Sequence, residues 1–239
     1  MRWPRLHRPR DPEPAATPAE RQAADRQRMV ADQIEARGIT DPELLRAFRT
    51  VERHLFVDSS EPYGDHALPL GSGQTISQPY VVAVMTDLAR PPGGWEGASV
   101  LEVGTGSGYQ AAVLAEMGAR VTSIERHPEL AEGARRRLEA AGYGDRVAVV
   151  VGDGTQGWPA RAPYRSIIVT AAGPSIPKPL REQLAPDGGR LVIPVGTRHH
   201  QLLTLVERSG EKYSTTEMEA VVFVPLIGEH GFAAESYDA

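Results

Sequence analysis

Residues 100 to 109 read Val-Leu-Glu-Val-Gly-Thr-Gly-Ser-Gly-Tyr, an apolar strand that runs directly into three glycines at alternate positions. Glycine lets the backbone approach a ligand where a Cβ atom would collide. The loop differs from two common nucleotide-binding loops. Tyr109 stands where a dinucleotide fingerprint has its third glycine, and the chain has no lysine-containing triphosphate loop. The stretch therefore predicts an α/β fold whose ligand lies at the carboxyl end of this strand and is neither a dinucleotide nor a triphosphate.

Three acidic residues at successive strand ends suggest which ligand is bound. Glu102 faces the glycine loop from within its strand, where it would repel a pyrophosphate and attract an ammonium group. Glu125 ends the next strand about twenty residues after the loop, where a βαβ unit returns an acid to ribose hydroxyls. Asp153 follows a third strand and could accept from an adenine amine. Each acid alone is compatible with ordinary turn chemistry, but the set predicts S-adenosylmethionine, held with the help of Gly104, Gly106 and Gly108.

The rest of the chain alternates between the strand period and the helix period from residue 100 onward. Strands are predicted at 100–103, 121–124, 147–151, 166–170 and 190–193, with helices between them. Two later segments, 202–206 and 219–226, are predicted to be antiparallel strands. Helices at 20–37 and from Asp41 onward come before this pattern. We therefore expect a doubly wound, Rossmann-like methyltransferase sheet with an N-terminal helical cap and antiparallel strands at the C-terminal end.

Composition limits the organisation and the possible partners. Residues 25–239 are expected to form a single methyltransferase domain, whereas residues 1–24 are rich in arginine and proline and are expected to be a disordered tail. A net charge of -5 argues against a nucleic-acid substrate, and no apolar run is long enough to cross a membrane. The absence of cysteine suits the cytoplasm. We expect a monomer. We also expect no metal, because the pair His199–His200 lies in a polar turn, where it would be solvated rather than bound to a metal.

A second informative stretch, residues 71 to 81, reads Gly-Ser-Gly-Gln-Thr-Ile-Ser-Gln-Pro-Tyr-Val. Ser77 lies just before Pro79, at the predicted start of a helix. Its hydroxyl could simply cap that helix, which typically contributes about 1 kcal/mol. Alternatively, it could donate a hydrogen bond to a substrate carboxylate, which is already ionised at neutral pH and needs no catalytic base. The spacing leaves both interpretations open.

Six motifs in order resemble those of the protein-L-isoaspartate (D-aspartate) O-methyltransferase family. They are found at residues 71–80, 101–111, 151–154, 167–172, 191–196 and 223–228, and the similarity extends from about Arg28 to Phe232. The Thr-Ile-Ser-Gln-Pro segment is specific to that family, whereas the glycine loop marks methyltransferases in general. The resemblance implies methyl esterification of the free carboxylate of L-isoaspartyl residues in damaged proteins and peptides. The ester then closes to a succinimide without further help from the enzyme, which permits repair.

The resemblance also implies roles for individual residues. Ser77 matches the active-site serine of the family. The implied cofactor contacts are Gln74, Thr75, Ile76, Ser107, Gly108, Glu125, Asp153 and Gly154. The implied walls of the substrate groove are Val195, Gly196, Val224, Pro225 and Leu226.

Three alternatives remain at this level. Some relatives esterify an aspartate in a dedicated peptide during natural-product maturation, although they usually carry a sizeable C-terminal extension. A small-molecule carboxyl methyltransferase would need a stacking pocket, and only 6% of the residues are aromatic. A protein that binds the cofactor without catalysis would be expected to have lost Ser77 or the glycine loop, and both are intact.

Overall fold

The computed structural model describes residues 16–234. The strands are β1 (Leu68–Gly71), β2 (Gln74–Ile76), β3 (Ser99–Val103), β4 (Arg120–Glu125), β5 (Val147–Val151), β6 (Ser166–Val169), β7 (Asp187–Gly196), β8 (Gln201–Ser209) and β9 (Lys212–Val221). The α-helices are α1 (Pro18–Arg28), α2 (Pro42–Thr50), α3 (Pro79–Leu88), α4 (Tyr109–Glu116), α5 (Pro128–Ala140) and α6 (Lys178–Glu182).

Seven strands form one sheet in the order β5-β4-β3-β6-β7-β8-β9. Strands β3 to β7 pair in parallel, and β8 and β9 continue the sheet as antiparallel strands. The predicted fold class is therefore confirmed. The strand order reverses between β3 and β6, so their connections leave in opposite directions and open a crevice at their carboxyl ends. Open α/β sheets bind ligands at such a point.

Two apolar clusters cover the two faces of the sheet. Along β3, Val100 packs in one cluster while Leu101 and Val103 pack in the other, as expected when successive side chains point to opposite faces. The first cluster also contains α2 and α4, so the N-terminal cap is packed against the sheet by buried side chains such as Phe48. This packing holds the cap beside the crevice.

The cap begins earlier than expected. Helix α1 continues through a π-helical segment (Met29–Ile34) and a 3₁₀ turn to Arg37, where Gly38 ends it with a φ of 93°. This confirms the helix predicted at 20–37. However, α1 starts at Pro18, inside the expected tail, because Thr17 and Glu20 form a reciprocal capping box. Residues 1–15 of that tail lie outside the described part of the chain.

Three local features differ from the sequence-based expectation. The strands β1 and β2 form a separate antiparallel hairpin that was not predicted. Helix α3 begins at Pro79 with Gln78 as its N-cap residue, so Ser77 lies outside the helix and does not cap it. The last strand is β9 at Lys212–Val221 rather than 219–226, because the chain leaves the sheet after Val221 and pairs beside Ala172 through Pro225.

Candidate active site

Two clefts and one groove meet at the crevice between β3 and β6. The inner cleft is lined by residues that include Glu102, Ser107, Tyr109, Ile76 and Ser77. The outer cleft is lined by residues that include Gln74, Gly106, Glu125, Gly154 and Leu226. The groove, with a volume of about 1020 Å³, is lined by residues that include Arg37, Ser77, Tyr80, Val195, Gly196 and Val224. Thr75 and Thr170 line all three, so the clefts and the groove form one continuous site.

The glycine loop separates the two clefts. Gly104 and Gly106 line both of them and have positive φ angles of 94° and 51°. Gly108 has a φ of 92° and is the N-cap residue of α4. A Cβ atom there would lie 3.2 Å from Leu138, so this glycine serves helix packing rather than ligand approach. The predicted loop is thus present, with two of its glycines at the clefts and one facing a neighbouring helix.

Glu102 lies at the base of the inner cleft and is completely buried. Its Oε2 atom accepts a hydrogen bond from the Ser123 hydroxyl, which also contacts the Thr105 hydroxyl at 2.5 Å. Its Oε1 atom has no partner within residues 16–234. Burial, which disfavours the charged form, raises the pKa of Glu102 to about 8, and the nearby Glu125 adds to the rise. A buried carboxylate oxygen without a partner, on a residue that lines a cleft, is suited to receive a cation from a ligand.

Glu125 ends β4 and lies in the outer cleft, as the sequence predicts for an acid near the ribose. Its Oε2 atom accepts a hydrogen bond from the Gly106 amide at 2.9 Å, and its Oε1 atom accepts one from the His127 amide at 3.0 Å. The carboxylate therefore fixes the glycine loop. Each carboxylate oxygen can accept a second hydrogen bond, so contact with a ligand hydroxyl remains available.

Asp153 is not among the residues that line the outer cleft. Its carboxylate accepts hydrogen bonds from the amide and hydroxyl of Thr155 at 2.9 and 2.7 Å, and from the Glu229 amide at 2.8 Å. Burial alone would raise the pKa of Asp153, but these hydrogen bonds outweigh it, so the pKa is lowered. The neighbouring Gly154 does line the cleft, and a Cβ atom there would collide with Val103. The structure thus brings Gly154, but not the Asp153 carboxylate, into the cleft.

The hairpin formed by β1 and β2 carries the segment before Ser77 across the glycine loop. Gln74 lines the outer cleft, Ile76 lines the inner cleft, and Thr75 lies between them. Ser77 follows the hairpin, is half-buried, and lines both the inner cleft and the groove. The serine thus lies at the boundary between the two spaces.

The residues expected to form the groove divide between two spaces. Val195 and Gly196 line the groove. Val224 lines both the groove and the outer cleft, whereas Pro225 and Leu226 line only the outer cleft. Pairing of this segment with Ala172, through hydrogen bonds of 2.8 and 2.7 Å, directs its last residues towards the ends of the parallel strands.

Sequence reasoning missed two residues of the site. Thr170 follows β6, and its hydroxyl donates to the Gly104 carbonyl at 2.7 Å. Its place after the fourth parallel strand was a usable signal. Arg53 is buried next to Ser77 and donates a hydrogen bond to its carbonyl. Nothing in the sequence around Arg53 indicates this contact. His199 and His200, which were expected to be solvated, are exposed, and they also line the groove.

Within residues 16–234, no cluster of three or more histidine, aspartate or glutamate side chains is arranged to hold a metal ion. The same part of the chain contains no helix with the length and apolar character needed to cross a membrane.

Comparison with known proteins places these features in a family. The sequence model of the protein-L-isoaspartate (D-aspartate) O-methyltransferase family matches residues 24–231. A protein-L-isoaspartate O-methyltransferase of Methanospirillum hungatei is 52% identical over 219 residues, which cover 90% of this chain and 99% of the relative. One from Aeropyrum pernix is 50% identical and covers 97% of this chain and 86% of its own length.

Solved structures with a similar fold include members of the same family. One protein-L-isoaspartate O-methyltransferase superposes with a TM-score of 0.77 at 28% identity, covering 86% of this chain and 67% of its own. A Plasmodium falciparum structure, described as a putative enzyme of the same kind in complex with S-adenosyl-L-homocysteine, gives a TM-score of 0.72. It covers 84% of this chain and 98% of its own, and at 22% identity it supports the fold alone.

Proposed function

The chain belongs to the protein-L-isoaspartate (D-aspartate) O-methyltransferase family, and we propose that its Ser77 hydroxyl presents the substrate carboxylate to the methyl donor. The activity is S-adenosylmethionine-dependent protein-L-isoaspartate O-methyl transfer, which serves protein repair. One observation supports the role of Ser77 most directly. Ser77 lines both the groove and the inner cleft, so it lies where a substrate in the groove would meet the methyl donor.

The clefts fit the cofactor. The free Oε1 atom of Glu102 would receive the ammonium group of its amino-acid end, and Glu125 would accept from the ribose hydroxyls. Gly104 and Gly106 let the backbone approach, and the hairpin residues Gln74, Thr75 and Ile76 would cover the ligand. When bound, S-adenosylmethionine supplies a methyl group on a cationic sulfur that is open to in-line attack by an oxygen.

Ser77 acts on the substrate through orientation. A carboxylate is already ionised at neutral pH, so the enzyme need not remove a proton from it. Ser77 donates a hydrogen bond to one carboxylate oxygen and leaves the other free to attack. Helix α3 begins two residues later, and the positive end of its dipole favours an anion nearby. Holding the reacting atoms in line lowers the barrier, because it makes a bimolecular step effectively unimolecular.

The groove accounts for the preference for an isoaspartyl residue. In such a residue the free carboxylate is attached directly to the main chain, whereas in aspartate a methylene group intervenes. A groove that fixes the peptide backbone at Val195, Gly196 and Val224 presents only the closer carboxylate at the boundary with the inner cleft. Misplacement by about 1 Å can cost about a hundredfold in rate.

Other parts of the proposal concern the surroundings of the site. Asp153 acts indirectly, because its hydrogen bonds hold the segment around Glu229 beside the outer cleft. We further propose that residues 25–239, together with the earlier residues of helix α1, act as a single-domain, cytoplasmic monomer without a nucleic-acid partner. The net charge of -5 argues against a nucleic-acid partner, and the absence of cysteine suits the cytoplasm.

Paired peptides test the proposed function. Two peptides that differ only in L-isoaspartate or L-aspartate at one position are incubated with the enzyme and S-adenosylmethionine. S-adenosylhomocysteine release and peptide mass are then followed. We expect methylation of the isoaspartyl peptide at least about a hundredfold faster, with a succinimide appearing afterwards. Equal rates would contradict the proposal, and activity only on a precursor peptide encoded nearby would favour natural-product maturation instead.

A further inference from the structure

Arg53 is completely buried and contacts the backbone of Ser77. Its Nη2 atom donates a hydrogen bond to the Ser77 carbonyl at 2.8 Å, and its Nε atom donates one to the Pro62 carbonyl at 2.8 Å. The guanidinium carbon lies 4.8 Å from the centroid of the Tyr109 ring. Thus one side chain contacts the residue at the groove boundary and the first residue of α4.

Among residues 16–234, the charge of this arginine has no carboxylate counter-ion. No carboxylate within residues 16–234 forms an ion pair with Arg53, and its Nη1 atom has no hydrogen-bond partner there. Burial lowers the pKa of Arg53 to about 10, so the group is still charged at neutral pH. A buried cation without a counter-ion is costly unless the contacts of the side chain offset that cost. The charge of Arg53 therefore has to be explained by the partners that it holds.

The partners of Arg53 supply that explanation. Tyr109 follows the glycine loop and lines the inner cleft together with Ser77. Its ring is held by Phe48 and Phe56, whose ring centroids lie 6.2 and 5.8 Å away. The guanidinium is in turn held over this fixed ring, and a charged donor makes a stronger hydrogen bond to the Ser77 carbonyl than a neutral one would. The backbone of Ser77 is thereby tied to the same helix that the glycine loop enters.

We propose that Arg53 is a positioning residue for methyl transfer, which fixes the Ser77 backbone so that the hydroxyl points at the boundary between groove and inner cleft. This inference rests on the proposed role of Ser77. Arg53 acts through Ser77 and does not touch the substrate. Lysine would keep the charge but could not reach the Ser77 and Pro62 carbonyls in the same fork geometry.

A double-mutant cycle tests this coupling. Arg53→Lys, Ser77→Ala and the double variant are compared in kcat/KM for an L-isoaspartyl peptide and in affinity for S-adenosylhomocysteine. We expect Arg53→Lys to lower kcat/KM at least about fivefold and to leave cofactor affinity within about threefold. Without the serine hydroxyl there is nothing left to position, so the double variant should be no more than about twofold worse than Ser77→Ala.

Arg208 offers a matched control. Its guanidinium also donates to backbone carbonyls, those of Leu184 at 2.7 Å and Gly210 at 2.9 Å, and lies over a tyrosine ring, Tyr213, at 5.5 Å. None of these residues lines the clefts or the groove. Arg208→Lys should lower the melting temperature but keep kcat/KM within about twofold.

The outcomes separate the inference from the proposed function. Wild-type activity of Arg53→Lys, additive losses in the cycle, or an equal loss in Arg208→Lys would each overturn the inference and leave the role of Ser77 intact. Full activity of Ser77→Ala would overturn both. If Arg53→Lys does not fold, Arg53→Gln enters the same cycle, because its amide can still donate to one carbonyl.

Discussion

Ser123 donates its hydroxyl hydrogen bond to Oε2 of Glu102, which leaves the other carboxylate oxygen buried and without a partner among residues 16–234. Burial raises the pKa of Glu102 to about 8, so the carboxyl group of the free protein is mostly protonated at neutral pH. An ammonium group bound beside it would favour the ionised form. Binding of the cofactor and release of a proton from Glu102 are therefore linked.

Glu102→Gln should weaken S-adenosylhomocysteine binding and remove its pH dependence between pH 6 and 7. In the wild type, affinity should rise with pH, by up to about tenfold per unit if one proton is released, because protonated Glu102 must lose its proton on binding. The ligand's own amine stays mostly charged over this range, because even the less basic α-amino group of a peptide has a pKa of about 7.7–8.0. Calorimetry in two buffers of different ionisation enthalpy measures the released proton. Equal wild-type affinity at both pH values would contradict the linkage.

Gly106→Val should abolish cofactor binding. Gly106 has a φ of 51° and lies between the two clefts, so a branched side chain would strain the backbone and occupy ligand space. Gly142→Val is the matched control, because Gly142 also has a positive φ, 83°, and a Cβ atom there meets nothing within 4 Å. Calorimetry with circular dichroism should show binding lost only in the first variant. Unchanged binding in Gly106→Val would rule out this placement of the cofactor.

Ser77→Ala should lower kcat/KM by roughly ten- to a few-hundredfold and leave cofactor affinity within a few-fold. A charge-assisted hydrogen bond contributes about 1.5–3 kcal/mol, and each decade of rate corresponds to about 1.4 kcal/mol. Steady-state kinetics and calorimetry measure the two quantities. Intact-mass spectrometry of the enzyme during turnover should find no methyl or acyl group on Ser77, and a trapped adduct would show that the serine is a nucleophile.

Deletion of residues 2–15 should leave the melting temperature and peptide turnover nearly unchanged, because this segment is rich in arginine and proline and its composition offers little apolar surface to bury. The variant that lacks residues 2–20 should be less stable than the one that lacks residues 2–15, since it also loses Thr17 and Glu20, which cap α1. Thermal unfolding and the peptide assay compare the two truncations. A tenfold rise in KM for acidic peptides after the shorter deletion would instead identify the tail as a substrate-binding arm.

The sequence by itself determined the fold and the kind of cofactor. Strand and helix periods are properties of neighbouring residues, so the alternation after residue 100 predicted the sheet, and the glycine loop with Glu102 and Glu125 predicted its ligand end. The short hairpin of β1 and β2 was not predicted, because strands of four and three residues beside a Gly-Ser-Gly turn are too short to show a strand period.

Only the tertiary structure decided how individual side chains are used. The Asp153 carboxylate accepts a hydrogen bond from the Glu229 amide, and Pro225 pairs with Ala172. Arg53 donates a hydrogen bond to the Ser77 carbonyl. In each case the two partners are far apart in the sequence. Which partner a buried polar group finds depends on what folding brings next to it, and no local pattern encodes that. For the same reason the sequence was compatible with two roles for Ser77. The capping role is excluded by the structure, because α3 begins at Pro79 and its N-cap residue is Gln78.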